Sequence, residues 1–164
     1  MSIIELHRSR EIAAALAAGP VELMAFVVSQ AMAMPGVRTV TMLATAPDKS
    51  VTHRIGTSDT VAFPIGGFDP RTDDAWHRRI FGDKRAVIAD NPSQLAEFIP
   101  EADQLVALGY GSTLCAPIII AGEVRGVFCA LGDAGILTPS LLAAVDTLLP
   151  IAALVFTFEG ISER

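Results

Sequence analysis

The residue types that most often carry redox, metal-binding or nucleophilic chemistry are few in this chain. The cysteines and histidines are Cys115, Cys129, His7, His53 and His77. Their spacing matches neither an HExxH zinc site nor a CxxC motif, and the chain has no GxSxG nucleophile elbow. Ser112 has no His or acid beside it in the sequence, which favours a backbone hydrogen-bonding role at a strand entry. The sequence therefore predicts no catalytic residue, no metal site and no cofactor.

Both cysteines lie in a segment that is typical of a β-hairpin. Residues 112–131 form two apolar, β-branched runs separated by Ala121-Gly122-Glu123, and a short Gly-containing connection is a strong hairpin signal. If these three residues form the loop, Cys115 lies directly opposite Cys129; a two-residue loop would place the thiols on opposite faces. The functional hypothesis is a redox or soft-metal site, and the alternative is two small side chains that fill a core.

Composition indicates one folded domain over residues 1–164, with an N-terminal helix in 1–19 and a core over 20–159 that includes a C-terminal helix. The 51% apolar content and 18% charged content favour a substantial core. A net charge of -6 argues against a nucleic-acid partner, because such binding needs clustered basic residues. The N-terminus lacks a basic region followed by an apolar stretch. We therefore expect a cytoplasmic protein with two reduced thiols.

Apolar periodicity, Gly and Pro positions and capping residues predict the other elements. Helices are expected over residues 2–19 with Ser2 as cap, 21–34, 72–81 with Thr72 or Asp73 as cap, 91–98, 102–108 and 138–158. Strands are expected over residues 37–45, 50–56 and 86–89 besides the hairpin, and Gly66-Gly67 is expected in a loop. This order gives an α+β domain with a central, mostly antiparallel sheet of about five or six strands.

The last predicted helix is nearly free of charge, because Asp146 is the only charged residue from Leu137 to Phe158. A membrane span is disfavoured, since a mid-segment Asp costs about 2.5–3.5 kcal/mol and Pro150 removes a backbone hydrogen bond. Burial on two sides, by its own sheet and by a second copy, accounts for the composition. We predict a homodimer joined through the terminal helices, which Arg at Leu148 or Val155 should dissociate or unfold. The alternative is a monomer whose first helix covers the outer face.

Several motifs resemble those of the GAF domain, a small-molecule-sensing relative of the PAS fold. Beyond the hairpin they are Gly109-Tyr-Gly111, Pro117, Gly126, Leu137-Thr-Pro139, Phe63-Pro-Ile-Gly-Gly-Phe-Asp-Pro-Arg71, Asp74-Ala-Trp76 and Arg85-Ala-Val-Ile-Ala-Asp90. The resemblance implies terminal helices on one face of the sheet and a pocket enclosed by inserted helices and loops on the other. Since GAF domains bind unrelated ligands or none, it names no ligand.

The cysteines mark a departure from that pattern. In stand-alone bacterial GAF proteins the two hairpin strands usually read Ser-x-x-Asn-x-Pro and Gly-x-x-Asn-x-Leu, whereas this chain has Ser112-Thr-Leu-Cys115-Ala-Pro117 and Gly126-Val-Phe-Cys129-Ala-Leu131. The signature of cyclic-nucleotide-binding GAF domains and the Cys-His dipeptide of bilin attachment are both missing. A polar ligand held by paired amides in relatives is therefore not implied here.

The resemblance implies a pocket built from residues on the second face of the sheet. The candidate ligand-binding residues are Arg54, Phe63, Trp76, His77, Phe81, Tyr110, Thr113 and Cys115. An Arg can clamp an anion, aromatic rings can form a stacking wall, and a His can titrate and hydrogen-bond. Each also has a structural alternative, as a solvated strand residue, a core side chain or a loop anchor.

Three hypotheses of function follow. The first is a non-catalytic, dimeric module that senses an unidentified small molecule and acts on a separate signalling protein. The second is a thiol enzyme like the GAF-fold free methionine sulfoxide reductases, which use mobile loop cysteines where this chain has two in predicted strands. The third is a structural dimerisation domain whose pocket is filled by side chains.

Overall fold

The computed structural model describes residues 3–158, with side chains from residue 8 onward; Ser2, the predicted first cap, and the side chain of His7 lie outside this part. The helices are α1 Ile3–Ala18, α2 Pro20–Met32, α3 Ala75–His77, α4 Pro92–Phe98, α5 Ala102–Ala107 and α6 Pro139–Ala153. The strands are β1 Val37–Thr45, β2 Val51–Thr57, β3 Gly66–Pro70, β4 Val87–Ala89, β5 Ser112–Ile120 and β6 Glu123–Gly132. A π-helical turn Arg78–Gly82 follows α3, and a 3₁₀ turn Leu154–Thr157 follows α6.

The six strands form one antiparallel sheet in the order β3-β2-β1-β6-β5-β4. This confirms the predicted α+β architecture and the mostly antiparallel sheet. Helices α2 and α6 pack on one face, where Leu23, Val27 and Val145 are buried in the same cluster as Met42 and Phe128. The terminal helices therefore cover one face of the sheet, as predicted.

The predicted helix α6 begins at the predicted cap, because the Thr138 hydroxyl accepts a hydrogen bond from the Leu141 amide. Pro139–Thr157 is long and apolar enough to cross a membrane by length and composition. Its inner side nevertheless packs on the sheet, with Leu141, Val145 and Leu148 buried. This packing is typical of a core helix in a folded domain.

The hairpin turn differs from the predicted three-residue loop. Only Ala121 and Gly122 connect the strands, with φ of 51° and 80°, the left-handed pair that a tight type I′ turn requires. A register shift then occurs: Ile119 pairs with Val124 but Ile118 pairs with Gly126, so Arg125 is a bulge residue. The extra residue restores the alternation, and Cys115 pairs with Cys129 as predicted.

Two local expectations were wrong. Residues 66–70, expected to begin as a loop, form the edge strand β3; tertiary pairing with β2 overrides the low strand propensity of Gly, Asp and Pro there. The helix before the π turn is capped by Asp74 and not by Thr72 or Asp73, since the Asp74 carboxylate accepts from the His77 amide at 2.8 Å. Thr72 instead donates its hydroxyl proton to Asp74.

Candidate functional site

The face of the sheet turned away from α2 and α6, here called the second face, carries a cross-strand row of polar and sulfur-bearing side chains. In register across the strands, the row reads Thr57, Thr41, Cys129 and Cys115, and it ends at the apolar Val87 on β4. The second face is covered by the segment between β2 and β5, which contributes Trp76, Ile80 and Tyr110 to one buried cluster with both cysteines. This enclosed layer is the candidate site.

An Asp-His pair stands at one side of the layer. The Asp74 carboxylate lies 2.7 Å from His77 Nδ1, and the capping geometry of α3 fixes its position. Partial burial raises the pKa of Asp74, but hydrogen bonds from Thr72, the His77 amide and the His77 ring outweigh it, and the pKa is lowered. The remaining ring nitrogen, Nε2 of His77, is buried and has no hydrogen-bond partner among the described residues.

Aromatic rings surround this histidine. The ring of His77 is stacked on that of Phe81, with centroids 6.0 Å apart and an interplanar angle of 19°, and it meets the edge of Trp76 at 4.8 Å. Trp76 and Phe81 are themselves in contact at 6.1 Å. The three rings form a rigid wall, because each is packed against the other two.

A second group on the same face is centred on Arg54. Its guanidinium lies 5.5 Å from the centre of the Phe63 ring and donates to the Pro64 carbonyl at 3.0 Å. Phe63 contacts Tyr110, whose hydroxyl is 2.6 Å from that of the buried Thr39. Nε of Arg54 is buried and unpartnered in the described part of the chain, so one donor of this cation is turned into the layer without an acceptor.

The cysteines form the floor of the site as two free thiols. Hydrogen bonding from Cys129 lowers the pKa of Cys115 despite burial, with the Trp76 indole and Thr113 adding to the effect. The same bond raises the pKa of Cys129 well above its usual range, and burial raises it further. The groups that lower the pKa of Cys115 lie across the sheet and in α3.

We predict that both thiols alkylate slowly in the folded protein, with Cys115 ahead of Cys129. They are only 5% and 7% exposed, so access to iodoacetamide requires local opening, and the lower pKa gives Cys115 more thiolate once it is reached. Peptide mass spectrometry after timed labelling at neutral pH measures both rates, with labelling in urea as the control. Rates in the folded protein equal to those in urea would contradict this assignment.

Orphaned polar atoms concentrate on the second face. Within the described side chains, the buried nitrogen and oxygen atoms without a hydrogen-bond partner are Thr45 Oγ1, Thr52 Oγ1, Arg54 Nε, His77 Nε2 and both ring nitrogens of His53. The register places the first three residues on the second face, and His77 packs above it, whereas His53 pairs with Ala44 on the helix-covered face. Buried polar groups are normally satisfied, so this concentration distinguishes the second face from the rest of the core.

The structure brings all eight predicted site residues to the second face, but in three groups: Arg54 with Phe63 and Tyr110; Trp76 with His77 and Phe81; and Thr113 with Cys115. Their ligand-binding role remains a prediction. Sequence reasoning missed Asp74 and left Cys129 out of the site. Asp74 was detectable as an acid three residues before His77 at a helix start.

Comparison with solved structures identifies the architecture. The GAF domain of a two-component sensor histidine kinase from Bacillus halodurans superposes with a TM-score of 0.71 over 87% of this chain and 97% of its own length, at 13% identity. The GAF domain of an Acinetobacter phosphoenolpyruvate-protein phosphotransferase gives a TM-score of 0.70 over 96% and 95%, at 16% identity. The chain has the GAF fold. No protein-family model matches the sequence, and no curated protein matches it significantly.

GAF folds of different function are among the structural neighbours. A free methionine-R-sulfoxide reductase from Neisseria meningitidis, solved in complex with its substrate, gives a TM-score of 0.63 at 12% identity over 88% of this chain and 79% of the enzyme. Sensor domains and an enzyme thus share this GAF architecture, and the choice between them depends on the site residues of this chain.

Proposed function

We propose that this chain is a non-catalytic regulatory module that binds a small molecule at the second face of its sheet. The observation that supports it best is the pair of buried, unpartnered donors or acceptors at His77 Nε2 and Arg54 Nε. Asp74 holds the histidine from its other nitrogen, so the free nitrogen has a fixed direction, and the rings of Phe63 and Trp76 supply apolar walls. A small ligand with a hydrogen-bonding group at each end and a flat apolar body suits this arrangement.

The position of the two cysteines argues against catalysis by them. Both thiols are buried in paired strands, whereas a thiol that attacks a substrate and is then resolved by a second cysteine needs access and local movement. The sensing module is therefore the better supported of the two functions.

A structural dimerisation domain is the second candidate, and one observation favours it. Trp76 is only 9% exposed and lies over Cys115, so the protein's own side chains already cover much of the second face. In that case the pocket is filled, and the orphaned polar atoms represent a stability cost without a ligand to offset it.

Tryptophan fluorescence separates these two candidates. Trp76 is the single Trp of the chain, and a ligand that hydrogen-bonds His77 or Arg54 should change its emission. Titration with nucleotides, carboxylates and aromatic metabolites should give a saturable change with at least one compound. Arg54→Ala should weaken that binding about tenfold or more, the usual effect of losing a hydrogen bond to a charged group.

The control is Arg125→Ala. Arg125 is an exposed bulge residue on β6, and its replacement by Ala removes the same charge as Arg54→Ala does. We expect its binding to equal that of the unsubstituted protein. Absence of a saturable change across the whole panel would overturn the sensing proposal in favour of the filled pocket.

We also propose that the module is a cytoplasmic homodimer joined through its terminal helices, with a separate signalling protein as its output partner. Helix α1 packs mainly on α2, while Ala13, Ala14 and Leu16 are exposed. The outer side of α6 exposes Ala143, Thr147 and Pro150. The described part of α1 therefore does not cover α6 as the monomer alternative requires. Leu148 and Val155, expected to test the dimer, are instead buried against the protein's own sheet.

A charge on the outer side of α6 should dissociate the dimer without unfolding it. Ala143→Arg places the charge on an exposed position, where it has to be desolvated only if a second copy packs there. Analytical ultracentrifugation should show a monomer for this variant and a dimer for the matched control Ala96→Arg on the exposed side of α4. A concentration-independent monomer mass for the unsubstituted protein would contradict the dimer.

A further inference from the structure

A cavity of about 210 Å³ lies where β1 ends and β6 begins, beside the ring wall of the candidate site. Thr45, Lys49, Arg71, Phe81, Lys84 and Glu123 line it. The cavity is separate from the region between His77 and Arg54, because none of the eight predicted site residues except Phe81 lines it.

The floor of this cavity contains an orphaned hydroxyl. Thr45 is 4% exposed, and its Oγ1 has no hydrogen-bond partner among the described residues. Thr52, which pairs with Thr45 across β1 and β2, also has a buried, unpartnered hydroxyl. Leaving a buried hydroxyl without a partner destabilises the folded state, and a group bound in the cavity would supply the missing hydrogen bond.

The rim of the cavity is cationic. The Arg71 guanidinium rests 4.6 Å from the centre of the Phe81 ring, and no carboxylate of the described chain pairs with it. Lys84 Nζ donates to the Gly122 carbonyl at 2.6 Å. Lys49 pairs with Glu123 at 2.6 Å, and the two lysines are among the groups that lower the pKa of Glu123.

Counting these charges leaves the cavity positive. Three cations and one carboxylate line the cavity. Asp48 and Asp83, which adjoin Lys49 and Lys84 in the sequence, are not among the lining residues, and the Asp48 carboxylate accepts hydrogen bonds from the Ser50 amide and hydroxyl. The whole chain carries a net charge of -6. The excess of positive charge around this cavity is therefore opposite in sign to the charge of the protein as a whole. Such an excess concentrates anions.

Backbone conformation is unusual at the same place. In residues 3–158, positive φ at residues other than Gly occurs at Lys49, Lys84 and Ala121, with φ of 62°, 54° and 51°. The two lysines line the cavity, and Ala121 belongs to the turn whose Gly122 carbonyl holds Lys84. A left-handed backbone at Lys is uncommon and unfavourable. The backbone is therefore strained at the two residues whose ammonium groups line the cavity.

We propose that this cavity binds a phosphate group, as inorganic phosphate or as the phosphomonoester of a small molecule. Arg71 would swing from the Phe81 ring to the oxyanion as a bidentate donor. Lys49 and Lys84 would neutralise the remaining charge, and the Thr45 hydroxyl would donate from below. The net charge of the lining suits a dianion better than a single carboxylate. The site is independent of the ligand proposed for the second face.

The fluorescence of Trp76 can report phosphate binding at this cavity. Arg71 contacts Phe81, Phe81 stacks on His77, and His77 contacts Trp76, with successive separations of 4.6, 6.0 and 4.8 Å. Movement of Arg71 away from Phe81 alters this stack, so phosphate should change the emission of the single Trp. Calorimetry at the same protein concentration gives a second readout that does not depend on the stack.

The experiment titrates the full chain with inorganic phosphate, glycerol phosphate and succinate at constant ionic strength. We expect saturable binding of one or both phosphate compounds and weaker binding of succinate. Arg71→Gln should weaken phosphate binding at least tenfold, and Thr45→Val severalfold. The control Arg10→Gln removes the same charge from an exposed position on α1, which does not line the cavity, and should leave binding unchanged. If glycerol phosphate binds more tightly than inorganic phosphate, the ligand is a phosphomonoester. If inorganic phosphate binds more tightly, the ligand is the free ion.

Thr45→Val also has an expected effect without phosphate. Because it replaces an unsatisfied buried hydroxyl by a methyl group of the same shape, it should leave the thermal midpoint unchanged or raise it. A folded Thr45→Val variant that binds phosphate as tightly as the unsubstituted protein would overturn the inference. Equal weakening by Arg71→Gln and Arg10→Gln would also overturn it, since the interaction would then be non-specific charge attraction.

Arg54→Ala separates this inference from the proposed function. We expect this variant to bind phosphate normally. If Arg54→Ala abolishes phosphate binding while Arg71→Gln does not, the anion lies in the region between His77 and Arg54, and the cavity site is wrong while the sensing proposal stands. If phosphate binds as predicted but no compound of the wider panel perturbs Arg54-dependent fluorescence, the cavity site stands and the sensing proposal fails.

Discussion

Replacing Leu148 with Arg is expected to abolish folding of the domain. Leu148 is 5% exposed on the inner side of α6 and belongs to the cluster between the helices and the sheet. The variant loses apolar burial and forces an unpaired guanidinium into that cluster, at a combined cost above about 4 kcal/mol. This cost approaches the whole free energy of unfolding of a small domain, about 5–15 kcal/mol.

Circular dichroism and urea denaturation measure this effect. The matched variant Ala143→Arg introduces the same side chain on the exposed side of the same helix and should keep a cooperative transition. If the free energy of unfolding of Leu148→Arg lies within about 1 kcal/mol of that of the unsubstituted protein, α6 does not pack on the sheet in solution as it does in the structure.

Adding a single methyl group at Gly126 is expected to cost about 3 kcal/mol of stability. A Cβ at this position would lie 2.3 Å from Cζ of Phe156 and 2.5 Å from the Leu43 carbonyl oxygen. The phenyl ring can shift, but the carbonyl belongs to the paired strand β1 and cannot move without disturbing the sheet. Overpacking of a fixed core generally costs 1–3 kcal/mol and occasionally more.

The control for this prediction is Gly82→Ala, because a Cβ at Gly82 meets no heavy atom within 4 Å. We expect Gly82→Ala to stay within about 0.5 kcal/mol of the unsubstituted protein. The double variant with Phe156→Ala should recover none of the stability, since the contact with the Leu43 carbonyl remains and a cavity is added. A Gly126→Ala variant as stable as Gly82→Ala would contradict the packing of β6 between β1 and the C-terminal turn.

For the hairpin, the sequence predicted the pairing of Cys115 with Cys129 correctly but the length of the turn wrongly. Glycine at position 122 and the β-branched runs indicated the turn, and the spacing of Cys115 and Cys129 suggested a cross-strand pair. The turn is one residue shorter than expected, and the bulge at Arg125 compensates for it. Bulges depend on how a strand must bend against its neighbours, and residue type at Arg125 carries no signal of this.

The eight candidate residues of the second face were found in the sequence through the family resemblance, whereas the cationic cavity and the edge strand β3 were not. The family resemblance put Arg54, Thr113 and Cys115 at the pocket, and the pairing of β2 and β5 within the sheet places them on the second face. The cationic cavity was missed because its lining comes from turns and strand ends that the chain brings together only after folding. The edge strand β3 was missed because its hydrogen bonds to β2, and not its composition, define it.

The central claim is that the second face holds a small molecule, and native mass spectrometry of the protein purified from cells tests it most directly. We predict a mass above that of the bare protein by one small molecule per chain, which is released on denaturation and absent from Arg54→Ala but present in Arg125→Ala. The bare mass alone, from protein shown to be folded under the same conditions, would contradict the claim and leave the filled dimerisation domain as the account of this chain.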